Sequence, residues 1–202
     1  MKRLLGLALV GLCSTPLAAL AQDSLPPGDI TIFSTFHARL AAYEDVSRWA
    51  AERQPGRGER GWANRVANSG RDGREWVVKF LGKYGAQVHP VEGDSLTLAA
   101  TLIRGELEAL QGRALDSAWA RHMTLWLDEA RVRAIFVESK QLQHRKARGA
   151  ESSLRGAWGN GYLYACHVRS RYERKGLDGR DLACGQGPDQ PPEASAPRAA
   201  AR

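Results

Sequence analysis

Residues 30–53, ITIFSTFHARLAAYEDVSRWAAER, decide the fold of this chain because they form a long run with neither glycine nor proline. Apolar side chains recur in this run at steps of three and four residues, a spacing that places them on one face of a helix. These positions are Ile32, Phe36, Leu40, Tyr43, Val46 and Ala50. Asp29 is a suitable N-cap before the run, and Pro55-Gly56 ends it. The stretch therefore predicts one long amphipathic helix.

Two further helices follow in the first half of the chain. The spacing of aromatic residues predicts a second helix from Trp62 to Tyr84. Because glycine costs a helix interior about 1 kcal/mol relative to alanine, we expect this helix to break near Gly70. A third helix is expected to begin at a cap provided by Asp94 or Ser95 and to end at Gly112.

The second half of the chain begins with a long apolar stripe. The expected fourth helix carries this stripe at Trp119, Met123, Trp126, Ala130, Ala134, Val137 and Leu142. Residues 156–161 are glycine-rich and predict a loop, and a final helix is expected from Tyr162 to Arg174. The run from Pro188 to Arg202 is rich in proline and alanine and is expected to be a disordered tail.

These patterns predict an all-α protein. The predicted architecture is a ferritin-like or four-helix bundle over residues 29–142, with a C-terminal extension over residues 143–187 and a tail over residues 188–202.

The N-terminus has the three parts of a secretory signal peptide. Residues 1–3 are basic, residues 4–12 are apolar, and Ala19-Leu20-Ala21 is a small-x-small cleavage site. We therefore expect residues 1–21 to be removed after Ala21 and the mature chain to be periplasmic. A transmembrane anchor is the alternative, but the apolar run is too short for a hydrocarbon core of roughly 30 Å, and Pro16 prevents its extension toward the cleavage site.

A lipoprotein is a second alternative for the same segment. It would need a small residue before Cys13, where Leu12 stands instead. No later stretch of the sequence is apolar enough to cross a bilayer, so no transmembrane segment is expected in the mature chain.

The charge of the chain limits its partners. The formal net charge is +7, and loss of Lys2 and Arg3 with the signal peptide would lower it to +5. A basic protein in the cytosol would suggest nucleic acid, but an exported one meets anionic lipid, lipopolysaccharide or cell-wall polymer instead. The expected partner is therefore an envelope protein or an anionic envelope surface, with no nucleic acid.

The cysteine count predicts one disulfide. Cys13 leaves with the signal peptide, so Cys166 and Cys184 remain as an even pair in an exported protein. A bridge over a loop of this length stabilises a fold by about 3 kcal/mol in the chain-entropy model. A redox or metal role would favour a tight Cys-x-x-Cys spacing, whereas these two residues lie eighteen positions apart. The expected bridge ties the C-terminal extension.

Two basic stretches are the candidate contacts to an anionic envelope surface. They comprise Arg145, Lys146 and Arg148, expected at the end of the fourth helix, and Arg169, Arg171, Arg174 and Lys175, which come after Cys166. The alternative is that these cations only complement the dipole at a helix C-terminus.

Motifs for catalysis or metal binding are scarce. A di-iron bundle needs Glu-x-x-His on two helices, and this motif does not occur. His37 and Glu44 lie seven positions apart on one helix flank and are weak candidate metal ligands. The nucleophile motif Gly-x-Ser-x-Gly does not occur, so no enzyme activity and no cofactor are expected, although a hydrolase assembled from distant residues stays open.

Most tryptophans fall in apolar stripes and are expected in the core, whereas Trp158 falls in the glycine-rich stretch beside Tyr162 and Tyr164. If that stretch is a loop, an exposed Trp158 would suggest a binding edge for a sugar or a partner protein.

One segment resembles a known family. It reads Leu107-Glu-Ala-Leu110-Gln-Gly112-Arg-Ala-Leu115-Asp116-Ser-Ala118-Trp119-Ala-Arg-His-Met123. This is similar to the pattern Leu-x-x-Leu-x-Gly-x-x-Phe-Asp-x-x-Tyr-x-x-x-Met of an exported bacterial domain-of-unknown-function family labelled "putative outer membrane protein". The resemblance covers residues 29–138 and implies a ferritin-like helical bundle.

The chain departs from that family at two places. The family carries Asp-His pairs where this chain has Trp126-Leu127 and where it has Ser69-Gly70. The resemblance therefore implies a divergent member that has lost those histidines.

Together these observations predict an exported, non-enzymatic envelope protein with a binding or structural role. The alternative is a ferritin-like metal-binding or oxidative-stress protein.

Overall fold

The computed structural model describes residues 24–54 and 57–173, without the side chains of residues 57, 151 and 171–173. These residues form five α-helices and no strand. The helices are α1 (Pro27–Arg53), α2 (Arg57–Gly82), α3 (Ser95–Glu108), α4 (Gly112–Val132) and α5 (Arg145–Glu173). The prediction of an all-α protein is confirmed. The predicted signal peptide, Cys184, Arg174, Lys175 and the tail lie outside the described residues.

The helices pack in a definite order around one core. α1 packs on α2, α2 on α5, α5 on α4, and the short α3 fits between α1 and α4. The centre is aromatic: the Tyr43 ring lies 5.8 Å from that of Trp126 and 5.7 Å from that of Trp158. None of the described helices combines the length and the apolar run that a membrane span requires.

A π-helical turn, Arg133–Glu138, and a 3₁₀ turn, Ser139–Gln141, continue α4. The predicted stripe is buried from Trp119 through Ala134 and again at Leu142, but Val137 is 51% exposed. A π turn holds more residues than an α turn, so the face that points inward shifts along it. The prediction of a buried Val137 is wrong for this reason.

The expected break in the second helix does not occur. α2 is helical through Gly70 and Gly73. A Cβ at Gly70 would lie 2.7 Å from Tyr43 Cε2, and a Cβ at Gly73 would lie 2.7 Å from Ala157 Cβ. These glycines therefore allow α2 to approach α1 and α5 closely, and the packing gained offsets their poor helix propensity.

Asp29 caps a different helix from the one predicted. α1 begins at Pro27, so Asp29 lies inside its first turn. The buried carboxylate accepts hydrogen bonds from the backbone N–H groups of Gln143 and His144, each at 2.9 Å. It thereby satisfies the two backbone donors that immediately precede α5 and joins the beginnings of these two helices.

The predicted loop at residues 156–161 is also wrong, because α5 runs unbroken from Arg145. Trp158 is completely buried against Tyr43 and cannot form an exposed binding edge. A Cβ at Gly161 would lie 3.1 Å from Ser69 Oγ, so this glycine lies against α2. Glycines that suggest a loop in sequence here allow close contact between helices.

Candidate functional site

The structure separates the two predicted basic stretches. Arg145, Lys146 and Arg148 are exposed in the first turn of α5. Arg169 lies near the other end of the same helix and is only 6% exposed. At 1.5 Å per residue the two stretches are roughly 36 Å apart, so they do not form one patch. The Arg171 side chain lies outside the described residues.

The first stretch belongs to a larger cationic surface, which we call the basic end. Lys83, just after α2, and Lys140, in the 3₁₀ turn, are exposed as well. The ring of Tyr84 lies 5.5 Å from that of His144, which brings the end of α2 beside the start of α5. The basic end comprises Lys83, Lys140, Arg145, Lys146 and Arg148.

Two carboxylates of this region are already engaged in the fold. Asp29 caps α5, and Glu138 pairs with Arg39 at 2.7 Å. Each of these carboxylates is therefore held by contacts within the fold.

The helix dipole does not explain the first stretch. Cations are stabilised near the C-terminus of a helix and disfavoured near its N-terminus. The expectation that Arg145, Lys146 and Arg148 end the fourth helix is wrong, because they lie at the N-terminus of α5. The dipole of α5 therefore does not stabilise the three cations at this position.

The weak candidate metal ligands are committed to other contacts. Glu44 is buried and pairs with Arg48 at 2.8 Å and with Arg74 at 3.0 Å. Burial and the Arg74 charge lower the pKa of His37, and the Glu44 charge acts in the opposite direction. Within residues 24–54 and 57–173, no three His, Cys, Asp or Glu side chains are grouped as metal ligands would be.

A buried charged cluster was not predicted from the sequence. Arg39 is 3% exposed and donates to Asp94 at 2.7 Å and to Glu138 at 2.7 Å. Burial opposes ionisation of Asp94, but the Arg39 guanidinium and the Thr97 N–H and hydroxyl outweigh it and lower the pKa of Asp94. The sequence contains one indication of this cluster, because the charged residue Arg39 falls in the apolar stripe beside Leu40. The cluster fastens α1 to the start of α3 and to the end of the π turn.

A groove of about 340 Å³ runs between α2 and α5, and we call it the α2–α5 groove. Each helix contributes a stripe at three- and four-residue steps, and the stripes face each other. The groove is lined by Arg65, Asn68, Ser69, Asp72, Gly73 and Trp76 from α2 and by Ser153, Gly156, Ala157, Asn160 and Tyr164 from α5. It was not predicted from the sequence because half of its wall was expected to be a loop.

One mouth of the groove holds a cation among aromatic rings. The Arg65 guanidinium carbon lies 4.5 Å from the centre of the Trp62 ring and 5.9 Å from that of Tyr164. The Trp62 ring also lies 4.2 Å from the His167 ring. These contacts fix the guanidinium at the surface through cation–π attraction.

Only one cysteine of the predicted disulfide lies among the described residues. Cys166 is buried on α5, and Cys184 lies outside the described residues, so the disulfide stays a prediction.

No protein-family model, curated protein or solved structure matches this chain. Its function is therefore inferred from the geometry of the basic end and of the α2–α5 groove.

Proposed function

We propose that this chain is an exported, non-enzymatic envelope protein that binds anionic envelope surfaces through its basic end. The observation that carries the proposal is the exposed cationic first turn of α5. Cations placed against the helix dipole lower stability by about 0.3–1 kcal/mol each at low ionic strength. An anionic partner would reverse that cost.

The cations are spread over three segments of the chain, which suits an extended anionic surface. Lys83 and Lys140 extend the cationic area beyond α5 onto the segments just after α2 and α4. A Lys or Arg close to an anionic bilayer contributes roughly 1 kcal/mol, and the attraction falls off within about one Debye length. Binding should therefore weaken steeply as salt is added.

The proposal includes a finer architecture. The contacts of α1 with α2, α2 with α5, α5 with α4 and α4 with α1 support a four-helix bundle, to which α3 would be an addition. We propose that this bundle is ferritin-like and belongs to a divergent member of the exported family that residues 107–123 resemble. A Cys166–Cys184 disulfide would tie the C-terminal extension after export to the periplasm and cleavage at Ala21.

Sedimentation with lipid vesicles tests the proposal. The full chain is mixed with vesicles of phosphatidylglycerol or of phosphatidylcholine at low and high salt. The variant Arg145→Glu/Arg148→Glu changes the basic end, and Arg113→Glu/Arg121→Glu changes two exposed arginines of α4 by the same charge. We expect binding to phosphatidylglycerol only, lost at high salt.

Removing two contacts of roughly 1 kcal/mol each corresponds to about a 30-fold loss of affinity, so the α5 variant should bind at least that much more weakly. The α4 variant should bind almost as well as the wild type. Equal binding at both salt concentrations, or an equal loss in both variants, contradicts the proposal.

A further inference from the structure

We propose that the α2–α5 groove binds a short saccharide that carries a carboxylate. This site is separate from the basic end and does not depend on its function. The groove is an open trough, lined by exposed amide and hydroxyl groups, by the Arg65 cation and by an aromatic ring toward each end.

The shape of the groove comes from lining residues with a small side chain or none. Gly73 and Ala157 are in close contact, since a Cβ at Gly73 would lie 2.7 Å from Ala157 Cβ, and the small, exposed residues Ser153 and Gly156 beside this contact leave an open trough along the surface. A Cβ at Gly156 would touch nothing within 4 Å. The trough extends along α2 from Arg65 to Trp76, which is roughly 16 Å of helix.

The polar groups that line the trough have unused hydrogen-bonding capacity. The amides of Asn68 and Asn160 and the hydroxyl of Ser153 make no side-chain hydrogen bond with any residue that the structure describes. Each amide offers two donors and one carbonyl acceptor. Donors and acceptors on both walls match adjacent sugar hydroxyls, which themselves both donate and accept.

Arg65 supplies the charge selectivity. No carboxylate of the described residues lies within ion-pair distance of its guanidinium. An arginine fork binds a carboxylate with two parallel hydrogen bonds, and its position over Trp62 fixes its direction. Asp72 lines the same groove, is 68% exposed and pairs with Arg71 at 3.3 Å, so a multiply charged group such as a phosphate would meet stronger repulsion there than a single carboxylate.

Aromatic rings stand toward both ends of the trough. Tyr164 lies beside Arg65, and Trp76 lines the other end while it stacks on Phe80 at 5.2 Å. Small-ligand sites combine such apolar rings with a few placed polar groups. The C–H faces of pyranose rings can pack on them while the hydroxyls meet the amides.

Calorimetric titration of the full chain tests the inference. The acidic probes are a galacturonic acid trimer and the disaccharide of N-acetylglucosamine and N-acetylmuramic acid. The neutral probe is a galactose trimer, and trialanine represents a peptide carboxylate. We expect at least one acidic saccharide to bind about tenfold more tightly than the neutral trimer, as one charge-assisted contact gives.

Two variants place the binding in the groove. Arg65→Ala should lower the affinity for the acidic saccharide about tenfold and leave that for the neutral trimer unchanged. Gly156→Leu should fill the trough and abolish binding of both. Gly149→Leu is the matched control, because Gly149 is also in α5 with open space around its Cβ position. Both leucine variants should melt no lower than the wild type, since leucine is a better helix former.

Three results would overturn the inference. They are failure of both acidic saccharides to bind, unchanged binding by Gly156→Leu, and tighter binding of trialanine than of either acidic saccharide. The Gly156 variant keeps the test decisive if Arg65→Ala proves unstable.

Discussion

Replacing Gly70 with alanine tests whether α2 is continuous because its glycines lie against α1. The added Cβ would lie 2.7 Å from Tyr43 Cε2 and 2.9 Å from the carbonyl oxygen of Leu40. The Tyr43 ring is completely buried and contacts Trp126 and Trp158, and the carbonyl belongs to the backbone of α1. Neither neighbour can move without disturbing the core.

Two opposing effects set the size of the change. Alanine gains about 1 kcal/mol of helix propensity over glycine. Overpacking of a close-packed core costs about 1–3 kcal/mol, and the backbone contact favours the upper part of that range. The free energy of unfolding should therefore fall by about 1–2 kcal/mol. For a chain of this size, the midpoint of thermal unfolding should fall by roughly 2–8 °C.

Circular dichroism during urea and thermal unfolding measures the effect. Gly61→Ala is the control, because Gly61 lies in the same helix and its Cβ would touch nothing within 4 Å. This control should be as stable as the wild type or up to about 1 kcal/mol more stable. If Gly70→Ala gained stability to the same extent as Gly61→Ala, the close packing of α2 on α1 would be refuted.

Three further predictions concern the polar contacts that join helices. Arg39→Ala should lower the free energy of unfolding in urea by about 3–5 kcal/mol, because it leaves two buried or half-buried carboxylates unpaired, and a loss below 1 kcal/mol would contradict this. The pKa of Asp94 is lowered in the folded protein, so its contribution to stability is complete above the ordinary aspartate pKa of about 3.9. That contribution is lost as the pH falls through the lower pKa of the folded state. The urea midpoint should therefore drop less on acidification in Asp94→Asn than in the wild type. Asp29→Ala should cost about 0.5–2 kcal/mol in the same assay because α5 loses its cap, and unchanged stability would show that the cap contributes nothing.

The elements that could be predicted from the sequence are those with local causes. α1 is explained by a periodic apolar face, and the start of α3 is explained by Asp94, which accepts a hydrogen bond from the Thr97 N–H at 2.9 Å. The buried positions of Trp119 and Trp126 reflect the same periodicity in α4. In each case the deciding residues lie within a few turns of one another.

The elements that were predicted incorrectly have distant causes. Gly70 lowers helix propensity locally, but its compensating contacts are with α1. The cap of α5 comes from Asp29, more than a hundred positions earlier in the chain. Propensity rules average over local sequence and contain no term for such contacts, so a break and a loop were expected where continuous helices pack together.

The same limit applies to the candidate sites. The exposed cations of residues 145–148 were identified from the sequence, but their place at a helix N-terminus depended on where α5 begins. The α2–α5 groove could not be found, because its stripes meet only once residues 156–161 are helical.

Hydrogen exchange of the full chain, with and without phosphatidylglycerol vesicles, tests the central claim most directly. We expect vesicles to slow the exchange of backbone amides in residues 139–149, which contain Lys140 and the first turn of α5. Exchange in residues 112–122 of α4 should be unchanged. Protection of residues 112–122 in place of residues 139–149, or no protection at all, would contradict the claim that the basic end binds the anionic surface.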